Sequence, residues 1–360
     1  MKLSFPHMGN SYVVFKAIAE TLGFEYIVPP LPNQRTLELG TRSSPELLCL
    51  PFKINLGNFI EALEMGADTL AMAGGVGACR FGYYWKIQEI ILKEMGYKFD
   101  MLHLNQINVP DAYRKLKGRS GKTVFLPCFI KAFKVMWKKA KVLHKIENLK
   151  RETMPFEEKR GDTAKAMKDA LKILDEAKTF HEIKNADKNS VELFNSIKKD
   201  RSIKPLKIGI VGEVFITLEP FANMEIEEKL SHLGILVHNS MSLYKWLKHI
   251  FYLDTFEKTG RRNLAKVAAP YLPHNPGGEA QSSVARTILY AKEGFDGVIN
   301  IYPFTCMPGL ISNAVLLKVR KDYDIPVLNL SVDGHSSGTG FYTRLEAFVD
   351  LLKRRRKSSK

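Results

Sequence analysis

Cysteine is scarce in this chain of 360 residues, which carries four, and no two of them form a C-x-x-C pair. So few thiols exclude a secreted disulfide scaffold, and the missing pair removes the usual signature of a zinc site or ferredoxin. The set then reads as metal-binding, catalytic or simply buried. No apolar stretch is long enough to span a bilayer, and Met1 to Pro6 runs straight into an expected first strand with no signal-peptide pattern. A cytoplasmic protein without a membrane partner is expected. H-E-x-x-H, G-x-S-x-G and the protein-kinase set are missing. Gly74-Gly75-Val76-Gly77 lacks both the Lys-Ser/Thr ending of a Walker A loop and the G-x-G-x-x-G spacing, so no nucleotide site is expected there. Nine histidines show no metal-ligand spacing. His7 and His335 sit near expected strand ends but read as surface loop residues.

Positive charge is abundant. The formal net charge is +16, from 54 Lys plus Arg against 38 Asp plus Glu, which points to an anionic partner such as an acidic protein or a phosphorylated cofactor. The charge gathers between Lys115 and Lys204 and again at Lys353-Arg354-Arg355-Arg356-Lys357. Lysines interleaved with glutamates on helices read as a solvated face. The terminal cluster reads as a frayed tail, and nucleic acid is not an expected partner.

The length calls for two or three domains. Residues 1–110 alternate strand and helix: a strand over 2–5, a helix over 11–22, a strand over 24–28, a turn-rich 29–33, a helix over 58–65, a strand from Thr69, a helix over 84–95 and a strand over 99–104. Residues 111–205 carry long helical periodicities, at 129–149 and 162–180, and read as a helical insert or middle domain. Residues 206–360 return to the first pattern, with strands over 207–212, 235–237, 297–302 and 327–330. Strands separated by helices of about a dozen residues predict an α/β fold with two Rossmann-like or flavodoxin-like parallel-sheet domains.

Each cysteine is expected where a strand hands over to a helix: Leu48-Cys49-Leu50-Pro51, Ala78-Cys79-Arg80, Pro127-Cys128-Phe129 and Thr305-Cys306-Met307-Pro308. Apolar runs lie ahead of Cys79 and Cys306, and Thr123 to Leu126 is a shorter candidate strand ahead of Cys128. In open α/β sheets the loops beyond the carboxyl ends of strands converge on a ligand crevice, where helix N-termini present N–H groups and partial positive charge. A shared anionic cluster held by thiolates suits that setting. Glu213 after Gly212 and Glu279 after Gly278 place carboxylates near strand ends, either as proton donors or as helix caps. Arg344 and Glu346 read as an ion pair on the last helix.

Five strings, Glu46 to Lys53, Gly77 to Tyr84, Gly212-Glu213-Val214, Pro303 to Gly309 and Thr343 to Phe348, together resemble the 2-hydroxyacyl-CoA dehydratase family, most nearly its activase-related members. The resemblance covers nearly the whole chain and is loosest in the helical insert. It implies α/β domains and a [4Fe-4S] cluster held by three cysteines, which Cys49, Cys79 and Cys306 match. Cys128 is extra to that pattern, either a fourth ligand closing the cluster or a structural thiol. The resemblance further implies an ATP-dependent activase that supplies one low-potential electron, an acyl-CoA substrate that passes through a ketyl radical as its 2-hydroxyl leaves, and a homo- or heterodimer. Two function classes follow: a lyase or oxidoreductase acting on an acyl-CoA, and a non-catalytic electron carrier or accessory protein.

Overall fold

The computed structural model describes residues 1–75, 79–105, 113–114, 126–257, 259–336 and 338–358, with Asn105 described by its backbone alone. The chain divides into two compact units, Met1–Ile146 with Lys168–Val191 and Glu147–Met167 with Glu192–Lys360.

The first unit begins β1 (Lys2–Ser4), α1 (Tyr12–Thr21), β2 (Glu25–Ile27), α2 (Gln34–Ser43), α3 (Leu50–Glu64), β3 (Thr69–Gly74), α4 (Tyr84–Glu94) and β4 (Asp100–Asn105). All four strands are parallel, in the order β2-β1-β3-β4. Nearly every residue of α3 from Leu50 to Leu63 is buried, the pattern of a helix packed on all sides. Its Phe52, Leu56, Phe59 and Ile60 pack with Leu70 of β3 and Leu92 of α4 into one core. The sequence reading began this helix at Asn58 and gave no element to 34–43. What starts α2 is a capping box: the Asn33 side chain accepts from the N–H groups of Arg35 and Thr36, and the Thr36 hydroxyl accepts from Asn33 N–H. Thr36 also donates to the buried Glu61 carboxylate at 2.9 Å, tying the start of α2 to α3.

Three long helices follow, α5 (Leu126–Thr153), α6 (Asp162–Glu176) and α7 (Phe180–Asn195). The division between units falls inside each of them, so the helical region contributes to both.

The second unit holds β5 (Leu206–Gly212), α8 (Val214–Leu218), α9 (Pro220–Asn223), α10 (Ile226–His232), β6 (Ile235–Asn239), α11 (Leu243–Ile250), α12 (Arg261–Ala268), α13 (Ala280–Lys292), β7 (Gly297–Pro303), α14 (Met307–Asp322), β8 (Val327–Val332) and α15 (Gly338–Ser358). Its sheet is again all parallel, ordered β6-β5-β7-β8. Every residue of β7 is buried, as expected of a central parallel strand covered on both faces. The two α/β halves therefore share one strand order, and both follow the expected α/β parallel-sheet class.

Two local expectations are corrected. The basic cluster at 353–357 continues α15 instead of fraying, because Arg355 pairs with Asp324 at 2.9 Å and Arg356 with Asp296 at 3.3 Å. Arg344 makes no ion pair with Glu346; its guanidinium donates to the Asn329 carbonyl at 2.6 Å and pins α15 to β8. Among the described residues no helix is long and apolar enough to cross a membrane.

Candidate functional site

In each unit the order reverses between the first and third strands of the sheet, and that topological switch point is where open α/β sheets bind ligands. The loops leaving those two strands, and the helix entering the third, define the candidate site.

In the first unit Cys49 is the residue immediately before α3, and Cys79 is the residue immediately before a single 3-10 turn, Arg80–Tyr83, that leads into α4. Both have extended backbone and stand at the N-cap position without a side-chain cap bond, and the unsatisfied N–H groups of such a position favour a thiolate. The two loops are tied together. Arg80 donates to the Leu47 carbonyl at 2.6 Å, and Cys49 Sγ shares a hydrogen bond with the Tyr84 hydroxyl. Tyr84 in turn packs edge-on against Phe52 and Phe81. Cys49 is buried, while Cys79 is partly exposed.

The second unit repeats the arrangement with one substitution. Cys306 stands immediately before α14 after the third strand, as Cys79 follows β3. The position matching Cys49, the residue before the helix that enters the third strand, is Glu279 at the start of α13. The Glu279 and Cys306 loops also meet, since a Cβ added to Gly278 would lie 3.1 Å from the Pro308 ring. Thr305 holds a φ of 66° directly before Cys306. A β-branched residue in the left-handed region costs about 1–3 kcal/mol, and such strain gathers at functional sites. Around Cys306 the side chains of Phe304, Met307 and Leu310 are exposed.

Glu213 directly follows the first strand of this sheet. Gly212 before it has a φ of 136°, and a Cβ there would meet the Ile301 carbonyl oxygen at 1.8 Å, so only glycine lets β5 and β7 approach at this point. The Glu213 carboxylate caps α8, accepting from Phe215 N–H at 3.0 Å and Ile216 N–H at 2.9 Å. Burial still dominates those hydrogen bonds, and with the Glu279 charge nearby it pushes Glu213 up to about 7. Glu213 thus fills the cap role and also titrates near neutrality. The folded state binds this proton more tightly than the unfolded chain, so the contribution is favourable at low pH and lost as pH rises from about 4.5 to about 7. At about 1.4 kcal/mol per pH unit the loss is on the order of 3 kcal/mol. Urea titrations at pH 5 and pH 7.5 are expected to show a smaller difference for Glu213→Gln than for the wild type; an unchanged difference would remove Glu213 as the source.

The remaining sequence expectations divide. Cys49 lies between two helices, not after a strand, because the capped α2 occupies the segment before it. Cys128 is the third residue of α5 and is exposed. Residues 123–125 of the proposed strand ahead of it, and Val76 to Ala78, fall outside the described residues. His7 is not a surface residue: it is buried, and its Nε2 lies 2.6 Å from the Pro29 carbonyl oxygen. His335 is exposed, in a turn closed by Asp333. Within either unit, among the described residues, no three His, Cys, Asp or Glu side chains are gathered as a metal-holding group. The signal that distinguishes the capping cysteines was available in the sequence. Cys49 and Cys306 are each followed at the second position by proline, which suits the first turn of a helix, whereas Pro127 precedes Cys128.

No protein-family model matches this chain, and no curated protein matches it.

Proposed function

We propose that this chain is an iron-sulfur protein resembling 2-hydroxyacyl-CoA dehydratase subunits, with Cys49, Cys79 and Cys306 as the ligands of a [4Fe-4S] cluster. The observation that carries the reading is positional. Each of the three cysteines stands immediately before a helical turn at the carboxyl edge of a parallel sheet, and Cys79 and Cys306 follow the third strand of their own sheets. The donor chemistry fits, because helix N-termini stabilise thiolates and partly offset the negative charge of a thiolate cluster. Cys128, exposed within α5, is left out of the set as a structural thiol. When bound, such a cluster supplies one-electron chemistry at low potential. The chain's own residues hold the thiols in register through the Arg80 and Tyr84 contacts, and Glu213 offers a proton-holding group near neutral pH. The electron donor in this reading is a separate ATP-dependent activase and the substrate an acyl-CoA.

Anaerobic purification with iron and sulfide analysis tests the cluster. Mixing with a cognate activase, reductant and ATP is then expected to bleach the visible absorption, and omitting the activase is expected to leave it unchanged. Hydrolysis of ATP by this chain alone would overturn the assignment. Turnover of an acyl-CoA by the reduced protein distinguishes a catalyst from an electron carrier.

A further inference from the structure

The second unit holds a further feature, none of whose lining residues is a cysteine. A cleft of about 30 Å³ opens between α11 and α13. It exceeds the roughly 10–15 Å³ that one water needs, and suits a group of a few heavy atoms better than a ring system. Four of its charged side chains are already committed: Lys248 is paired with Glu257, and His249 sits 3.1 Å from Asp254. Two cations are not. Among the described residues neither Lys245 nor Arg286 has a carboxylate within ion-pair distance. Arg286 is only 8% exposed, and its side-chain partners are the Ser282 hydroxyl at 3.3 Å and the Thr259 carbonyl at 3.4 Å, both long for a guanidinium. Lys245 reaches only the Ser240 carbonyl, at 3.4 Å.

Two neighbouring cations without a direct counter-charge are costly to bury. The cost is visible in Lys245, whose ammonium is brought down to about 7 by burial and by the charges of Arg286, Arg151 and Lys248, against the opposing pull of Glu147. Donors are part of the geometry around them, beside the carboxylates of Asp254, Glu257 and Glu279 that also line the cleft. Both flanking helices start at the cleft: Ser242 caps α11 with its hydroxyl, while Glu279 makes no side-chain cap to α13 and leaves the first N–H groups of that helix without one. Ser282 and Arg286 lie on one face of α13, with Glu279 at its start. The carboxylate of Glu279 also lines the cleft.

We propose that this cleft binds a phosphoryl group, free or as the end of a phosphomonoester, between the Lys245 ammonium, the Arg286 guanidinium and the Ser282 hydroxyl. The planar guanidinium fork matches two phosphoryl oxygens, and Lys245 supplies a point charge from the opposite helix. The Glu279 carboxylate accepts a hydrogen bond from the O–H of a singly protonated phosphoryl group, so the monoanion is accommodated beside a carboxylate. This inference does not depend on the cluster assignment, since all of its residues lie in the second unit and none is a cysteine.

The test is calorimetric titration of the full chain, purified anaerobically, with inorganic phosphate and separately with glycerol 3-phosphate at low salt. One saturable site is expected for at least one of the two; the tighter ligand identifies free phosphate or a phosphomonoester as the source. Arg286→Gln is expected to weaken binding at least tenfold. Because Arg286 is buried and its loss can unfold the unit, Lys245→Met serves as the second variant. Without ligand its Tm is expected to equal or exceed that of the wild type, since a repelling cation is gone, and phosphate is expected to raise the wild-type Tm but not that of the variant. No saturable binding to the wild type, or phosphate stabilisation that survives in Lys245→Met, would overturn the proposal.

Discussion

Serine in place of Cys79 is expected to abolish stable iron binding while leaving the protein folded. Cys79 is partly exposed and caps only a single 3-10 turn, so its removal disturbs little packing. Serine keeps the size of the side chain and can still cap a helix, but its hydroxyl is not deprotonated near neutral pH and is a poor ligand for iron. Cys49→Ser and Cys306→Ser are expected to lose the cluster in the same way, with a larger stability cost because both thiols are buried. Cys128→Ser, on an exposed helical position, is expected to retain iron content and electron paramagnetic resonance signal. Iron and sulfide analysis of the four purified variants decides the matter. Equal iron in wild type and Cys79→Ser would remove Cys79 from the ligand set, and loss of the signal in Cys128→Ser would add a fourth ligand.

Alanine at Gly57 is expected to produce the largest stability loss of any single methyl addition to α3. The helices α2 and α3 touch backbone to backbone: a Cβ at Gly57 would lie 1.9 Å from the Thr36 carbonyl oxygen, and one at Gly40 would lie 1.7 Å from that of Lys53. Neither carbonyl belongs to a flexible side chain, so the helices must separate. Alanine gains about 1 kcal/mol of helix propensity over glycine, but overpacking of this severity costs roughly 3 kcal/mol or more, leaving a net loss of about 2 kcal/mol or more. Gly340 in α15 provides the control. Nothing lies within 4 Å of a Cβ added there, so Gly340→Ala is expected to be neutral or stabilising by up to about 1 kcal/mol. Chemical denaturation of the two variants should move the midpoint in opposite directions. A stable Gly57→Ala protein would mean that the α2–α3 contact is not as close as described. Since Cys49 directly precedes α3, the iron content of Gly57→Ala is expected to fall as well.

Much of the fold was readable before any coordinates because its elements announce themselves locally. Runs such as Gly297 to Tyr302 are apolar without alternation, as central parallel strands are, and the glycines after α3 and α4 mark where those helices stop. The candidate site was readable in part for the same reason: Cys-x-Pro places a cysteine at a helix N-terminus through the fixed φ of proline. Two things escaped. The helix α2 carries little apolar residue content, and its stability comes from the cap at Asn33 and from close contact with α3 through glycines, neither of which has a hydrophobic period. His7 looked like a loop residue because nothing in its neighbours foretells the Pro29 carbonyl, 22 positions away, that takes its hydrogen bond.

The sequence by itself determined the α/β class and the positions of most strands, because each depends on residues within a few positions of one another. Tertiary structure alone decided the rest. It gave the two sheets the same strand order and so made Cys79 and Cys306 equivalent. It set Glu279 where the first unit has Cys49 and coupled it to Glu213, 66 residues earlier in the chain, so that burial outweighs the hydrogen bonds to the Glu213 carboxylate. It also brought Lys245 and Arg286 to one cleft where, among the described residues, no carboxylate lies within ion-pair distance of either. Burial and charge coupling are properties of distances in space, and distances between residues far apart in a chain exist only once the sheets have formed.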